Sequence, residues 1–142
     1  MSQAAALPEV IRNIERVAPE VVAEAGGTAV STRVGHSFIK AVMAETGAVF
    51  GGEHSGHFYF RDFWRADSGL LAAMHTLSAL GESAQPLSQL LAPYDRYVVS
   101  GEINSTVSDQ AGVTAAVKVA FAGRTGVTVD ELDGLTVSGD TW

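Results

Sequence analysis

Apolar positions along this 142-residue chain change their period several times, and each change marks an element. Behind Pro8, a residue suited to a first helical turn, Val10, Ile14 and Val17 recur at helical spacing. Residues 8–17 therefore read as a polar, helix-leaning segment with no strand. Pro19–Ala25 forms a second short helix, ended by Gly26-Gly27. Thr28–Thr32 is a short strand. Ser37–Glu45 is amphipathic: Phe38, Ile39, Val42 and Met43 face inward, Lys40 and Glu45 outward, and Thr46-Gly47 ends the helix. Ala48-Val49-Phe50 and Phe58-Tyr59-Phe60 are strands on either side of a polar loop. Asp67 or Ser68 caps a further helix, whose buried stripe is Leu70, Leu71, Met74, Leu77 and Leu80. His75 reads as a partly exposed spacer in that helix. A short helix over Pro86–Leu91 follows.

Pro93-Tyr94-Asp95-Arg96 breaks the apolar stripe and reads as a boundary, dividing the chain into 1–94 and 95–142. Beyond it, strand signals at Tyr97–Val99 and Glu102–Val107 precede a helix near Asp109–Phe121. Asp133-Gly134 then joins Val127–Val129 to Leu135–Val137 as a hairpin. The first part, with its alternating strands and helices, fits a three-layer α/β domain with a mixed sheet. The second has the β-β-α-β-β order of a partial α+β domain.

The loop Gly51-Gly52-Glu53-His54-Ser55-Gly56-His57 concentrates the chemistry. Its glycines allow a backbone to approach a ligand closely, and Glu53, Ser55 and His57 supply acceptors and donors at alternate positions. Three readings are open. The loop is a glycine-rich hairpin with incidental polar residues; or Glu53, His54 and His57 hold a metal; or it binds a sugar or sugar phosphate. The metal reading lacks the H-E-x-x-H order, and glycine breaks the helix such sites use. Upstream, His36 stands at the start of a helix, where orphan N–H groups favour an anion; capping by His36 or Ser37 is the plainer reading.

Composition narrows the partners. A net charge of −7 argues against a nucleic-acid surface, which would need a basic stripe, while Arg33 and Lys40 can still oppose that sign locally. Without cysteine there is neither a disulfide framework nor thiol chemistry. No apolar run approaches the roughly 20 residues that a membrane span needs, and no signal peptide is visible, so the cytoplasm is expected.

G-G-E-H-S-G-H resembles the sugar-binding loop of the α-D-phosphohexomutases, the phosphomannomutase/phosphoglucomutase family. The run Thr32-Arg33-Val34-Gly35-His36-Ser37-Phe38-Ile39-Lys40 is similar to that family's T-x-V-G-H-S-x-I-K segment. The stretch from Phe60-Arg61-Asp62-Phe63 to Ser68-Gly69 is similar to its strand-to-helix passage. The likeness covers roughly residues 16–142 and implies domain three followed by a truncated start of domain four. A family member carries a strand ahead of Pro19, and the helix-leaning reading of residues 8–17 departs from that.

The resemblance implies an isomerase that interconverts hexose 1- and 6-phosphates. A phosphoserine phosphorylates the sugar, a hexose 1,6-bisphosphate intermediate turns over, and Mg2+ neutralises charge on the moving phosphoryl group. It implies Glu53 and Ser55 for the hexose hydroxyls, with Gly52 and Gly56 beside them; His57 either contacts sugar or phosphate or braces Glu53, and Lys40 is a secondary substrate contact whose plainer reading, like that of Arg33, is a solvated surface charge. His36 is the implied acid/base residue. The T-A-S-H-N-P phosphoserine loop, the D-G-D-x-D-R metal loop and the R-x-S-N-T-x-P phosphate clamp do not occur in this sequence. The expectations are therefore a sugar-recognising piece that is inactive alone, with its Mg2+ ligands elsewhere, or else a stand-alone sugar-phosphate-binding remnant. The ligand is a mannose or glucose phosphate, and the truncated C-terminal part is a route to self-association.

Overall fold

A computed structural model describes residues 9–13, 17–98, 100–140 and 142. The chain divides into two units, 1–98 and 99–142.

The first unit is built on a five-stranded mixed sheet of order β2-β1-β3-β4-β5. Its strands are β1 (Glu9–Asn13), β2 (Thr28–Ser31), β3 (Phe50–Glu53), β4 (Phe58–Phe60) and β5 (Ala66–Asp67). β1 lies parallel to both β2 and β3; β4 and β5 add antiparallel to that core. Helix α1 (Val17–Glu24) connects β1 to β2, and α2 (His36–Thr46) connects β2 to β3. The chain steps one way from β1 to β2 and the other way from β2 to β3. Right-handed crossovers therefore place α1 and α2 on opposite faces of the sheet.

The strand β1 corrects the helix-leaning reading of residues 8–17. The 3.6-residue spacing of Val10, Ile14 and Val17 loses to tertiary pairing. Val10 pairs with Ala29 on one side and Phe50 on the other, so the backbone groups of β1 are satisfied by two neighbours. Pro8, Ile14 and the rest of 1–8 and 14–16 lie outside the described residues.

Elsewhere the local signals produce the expected elements. Gly47 takes a left-handed backbone, φ 75°, and its N–H caps the Met43 carbonyl, ending α2. Ser68 accepts from the Leu71 N–H and starts α3 (Gly69–Gly81). α4 spans Leu87–Leu91, with a 3-10 turn at Ala92–Tyr94 after it. Ile39, Met43, Ala48 and Tyr59 form a fully buried cluster between α2 and the sheet, with Val30 and Val42 packed against it. Gly51 makes that packing close: a β-carbon there would lie 3.1 Å from Ile39 Cγ2 and 3.3 Å from Met43 Sδ. Phe38 departs from the inward reading. It is 44% exposed, and the Arg33 guanidinium sits 4.8 Å from its ring centroid.

The stripe of α3 is likewise corrected. Leu70, Met74 and Leu77 are 74%, 57% and 65% exposed. Only one edge of the helix meets the sheet, leaving a groove of about 940 Å³ whose walls include Phe50, Phe58, Phe60, Leu71 and Ala72. An amphipathic face is buried only where another layer covers it, and among the described residues none does. His75 is exposed, with its ring stacked on Phe60 at 5.4 Å.

The end of this unit is tied back to α1. Arg96 grips Glu24 with two bonds, 2.6 and 2.7 Å, and reaches Glu20 at 3.5 Å; the Tyr97 hydroxyl donates to Glu20. The bond from Arg96 holds the Glu24 carboxyl below its ordinary value. A depressed carboxylate stabilises the fold above its unfolded pKa of 4.5, and that contribution is lost as pH falls through the lower folded value. The difference in melting temperature between the parent chain and Arg96→Gln is thus expected to be full at neutral pH and to shrink below pH 4.5. A pH-independent difference would assign the effect of Arg96 to packing instead.

In the second unit, Asp109 caps α5 (Gln110–Phe121) by accepting from the Gly112 N–H. The hairpin of β6 (Val127–Asp130) and β7 (Thr136–Gly139) turns through Gly134 at φ 81°. The strands expected at 97–99 and 102–107 do not form; of these, residue 99 lies outside the described residues. A strand exists through its ladder, and β6 and β7 pair with each other, leaving 102–107 without a partner strand among the described residues.

Candidate functional site

β1, β2 and β3 run parallel, so their carboxyl ends lie on one edge of the sheet. Because the strand order reverses at β1, the crevice beside the ends of β1 and β3 is a topological switch point, where open α/β sheets take ligands. Asn13 and Glu53 pair across that boundary. The segment leaving β2, from Thr32 to Gly35, delivers His36 as the first residue of α2.

The β3–β4 hairpin closes through Glu53 N–H to the His57 carbonyl, 2.9 Å, and Gly56 N–H to the Glu53 carbonyl, 3.0 Å. Gly56 adopts φ 84°, a conformation that disfavours a side chain. Strand alternation then sends Gly51 and Glu53 toward α2, while Phe50 lines the groove beside α3. In β4, Tyr59 opposes Gly51 and faces the same way.

Glu53 is 4% exposed. Its Oε1 accepts from the Gly35 N–H at 2.9 Å, and its Oε2 accepts from the Tyr59 hydroxyl at 3.0 Å. The carboxylate thus caps the entry to α2 from across the sheet. Neither His36 nor Ser37 does so, since α2 has no side-chain cap bond. Two lone-pair positions remain on the carboxylate.

Tyr59 also contacts His36 Nδ1 at 2.9 Å. A hydroxyl has one proton. If Tyr59 gives it to Glu53, then His36 must donate from Nδ1, and its Nε2 keeps a lone pair. Burial first, and then the bond to Glu53, push the Tyr59 hydroxyl pKa far up, so it stays a donor at all ordinary pH.

His57 Nδ1 meets Asp67 Oδ2 at 2.7 Å, and Asp67 Oδ1 accepts the Phe58 N–H at 2.9 Å. The bond to Asp67 raises the His57 pKa. Burial pushes the Asp67 carboxyl up, but the bonds from His57 and Phe58 and the charges of both histidines outweigh it and hold it low. The turn that carries the chain to Asp67 holds Trp64 and Arg65 at φ 54° and 52°. Left-handed backbone at two non-glycine residues costs about 1 kcal/mol each. The rings of His36 and His57 meet edge to face, with centroids 4.8 Å apart.

The structure therefore joins His36, Glu53 and His57. Ser55, Gly56 and His54 sit on the exposed tip of the same hairpin, and Gly52 is buried in β3. Lys40 is exposed one turn along α2, and none of the described bonds ties it to the hairpin. Tyr59 and Asp67 were not among the sequence candidates. A signal for Tyr59 existed: it follows His57 by two and shares its strand face. Asp67 had none, because its role depends on how β5 pairs with β4. Among the described residues, no helix is long and apolar enough to cross a membrane.

A family model described as "Phosphoglucomutase/phosphomannomutase, alpha/beta/alpha domain III" matches residues 12–97. The chain is 39% identical over 122 residues to a phosphomannomutase of Methanocaldococcus jannaschii, covering 86% of this chain and 26% of that protein. It is 40% identical over 125 residues to a phosphomannomutase of Salmonella montevideo, covering 86% of this chain and 27% of the relative. A phosphoglucomutase of Neisseria gonorrhoeae is 35% identical over 122 residues, 82% of this chain and 26% of that protein. The X-ray structure of a phosphoglucomutase/phosphomannomutase family protein from Burkholderia thailandensis superposes with a TM-score of 0.69 at 30% identity. That match covers 94% of this chain and 29% of the other. The chain thus spans about a quarter of the length of the curated relatives it matches.

Proposed function

The chain belongs to the phosphoglucomutase/phosphomannomutase family, and from that premise we propose that it supplies the sugar-gripping wall of a mutase interconverting hexose 1- and 6-phosphates. The observation that carries this reading is the convergence of His36, Glu53 and His57 at the carboxyl edge of the parallel strands. Glu53 is fixed on both oxygens and keeps two acceptor positions, enough for a pair of adjacent hydroxyls in charge-assisted bonds. Ser55 adds a hydroxyl at the tip. His57, held by Asp67, donates from Nε2 when protonated to a hydroxyl or phosphate oxygen.

His36 is the acid/base residue of this reading. Its Nε2 lone pair takes the proton of the sugar hydroxyl as that oxygen attacks phosphorus and the serine oxygen leaves. The bisphosphorylated sugar then turns over, and the serine recovers a phosphoryl group from the other end. The phosphoserine belongs to sequence other than these 142 residues, which contain no T-A-S-H-N-P-like loop. Mg2+ takes oxygen ligands, whereas the cluster at the hairpin is two imidazoles and one carboxylate. The described residues do not fit that ion, and no step here passes through it.

Titrating the 142-residue chain with glucose 1-phosphate and mannose 1-phosphate tests the binding role. Affinity near about 1 mM is expected, with amide shifts confined to residues 35–37 and 52–58 and loss of the response in Ser55→Ala. Saturating sugar phosphate without shifts there would remove the reading. In a mutase assay the chain alone is expected to give no turnover; activity would refute the assignment of the phosphoryl donor to other sequence.

A further inference from the structure

The three side chains assigned to the sugar also have the makings of a metal site. One ligating atom from each of His36, Glu53 and His57 lies within 4.8 Å of those of the other two. Each of the three side chains is also held from behind. Asp67 accepts from His57 Nδ1, Tyr59 contacts His36 Nδ1, and the Gly35 N–H and Tyr59 hydroxyl fix the two Glu53 oxygens. Carboxylate-to-histidine and hydroxyl-to-histidine bonds of this kind orient metal ligands, settle their tautomers and raise their basicity. With both Nδ1 atoms engaged, each neutral ring is left with its lone pair on Nε2, the form in which imidazole binds a metal.

We propose that His36, Glu53 and His57 bind a divalent transition ion of the zinc class, with its remaining positions open to water. Two nitrogens and one oxygen suit Zn2+, Co2+ or Ni2+, whereas Mg2+ and Ca2+ prefer oxygen alone. Three protein ligands with open positions is the arrangement of an accessible rather than a sealed structural site. A tetrahedral ion with bonds of about 2.1 Å sets its ligand atoms about 3.4 Å apart, so three groups whose ligating atoms lie within 4.8 Å must draw together to hold one. The His57 side chain is 42% exposed, which leaves it room to make that movement. This ligand set differs from the Glu53, His54 and His57 set of the sequence reading. His54 sits on the exposed turn, and the fold brings in His36 from α2 instead. An ion here would occupy Glu53 and His57, the groups assigned to the sugar, so metal and hexose phosphate would exclude each other. The metal site itself rests on ligand geometry and stands whether or not the sugar reading does.

The test is a metal titration of the chelator-treated 142-residue chain without sugar. Zn2+ is followed by calorimetry and Co2+ by its visible absorption. One equivalent is expected to bind. His36→Ala and His57→Ala should each weaken binding at least tenfold, His54→Ala should leave it unchanged, and Asp67→Asn should weaken it about tenfold through His57. Since substitutions at the hairpin can disturb folding, the unsubstituted chain gives a second readout. Zn2+ should shift the ring resonances of His36 and His57 and leave those of His54 and His75 in place. No saturable binding below about 1 mM, or shifts on His54 or His75 instead, would overturn the proposal.

Discussion

Glu53→Ala is expected to lower the stability of the first unit by about 3 kcal/mol and to abolish hexose-phosphate binding together. The carboxylate is 4% exposed and answers two donors, the Gly35 N–H and the Tyr59 hydroxyl. Truncation leaves the Gly35 N–H without its acceptor and the Tyr59 hydroxyl with only His36 Nδ1 beside it, and an unsatisfied buried donor costs about 1–3 kcal/mol. Against this stands the desolvation of a carboxylate, which the substitution relieves. The two bonds outweigh it because each donor is already aimed at an oxygen at 2.9–3.0 Å. Glu53→Gln separates the effects. Its amide oxygen keeps one acceptor, so about half of the lost stability should return, while the charge that grips hydroxyls does not. Urea unfolding monitored at amides of residues 17–98 measures the first effect and sugar-phosphate titration the second. If Glu53→Ala is as stable as the parent, the carboxylate does not hold α2 to the sheet.

Gly51→Val is expected to cost about 3 kcal/mol and to weaken ligand binding at a position that touches no ligand. The first added carbon alone would lie 3.1 Å from Ile39 Cγ2, 3.3 Å from Met43 Sδ and 3.4 Å from Tyr59 Cβ. All three residues are fully buried, so none has space to yield, and the γ-methyls of valine press further into them. Replacing glycine also stiffens the unfolded chain, which offsets the loss by about 0.4–1 kcal/mol. Overpacking wins because the obstruction is the body of the core rather than the end of a mobile side chain. The relief available is for α2 to move off the sheet. That helix carries His36, so displacement separates His36 from Glu53 and His57. Gly51→Ala should show a weaker form of both effects. The midpoint of urea unfolding and the Zn2+ affinity measure them, and unchanged values for Gly51→Val would mean that the contact between α2 and β3 is loose.

Both substitutions act where the chain was only partly readable. The hairpin was legible because its signals are local: two aromatic strands, a glycine at the tight turn, and polar residues crowded between them. Helix α2 was legible from the spacing of Ile39, Val42 and Met43, and its end from Gly47. The cap at Ser68 and the turn at Asp133-Gly134 belong to the same class, each decided by a few neighbouring residues. Chemistry followed the same rule: Glu53, Ser55 and His57 stand within five residues of one another, and the motif around them carried the resemblance to the mutases.

What escaped the sequence was decided by partners far along the chain. β1 is a strand because β2 and β3 flank it, a fact that the helical spacing of Val10, Ile14 and Val17 cannot report. Among the described residues, 102–107 have strand composition without a ladder to join, and the α3 stripe has apolar residues without a layer to cover them. At the site, Tyr59 connects His36 to Glu53 across 23 and 6 residues of sequence, and Asp67 reaches His57 across 10. The sequence by itself determined which groups were present and which turns held them. Only the tertiary structure decided which of them meet, because hydrogen bonds and close packing between distant segments exist only once the parallel strands have set those segments side by side.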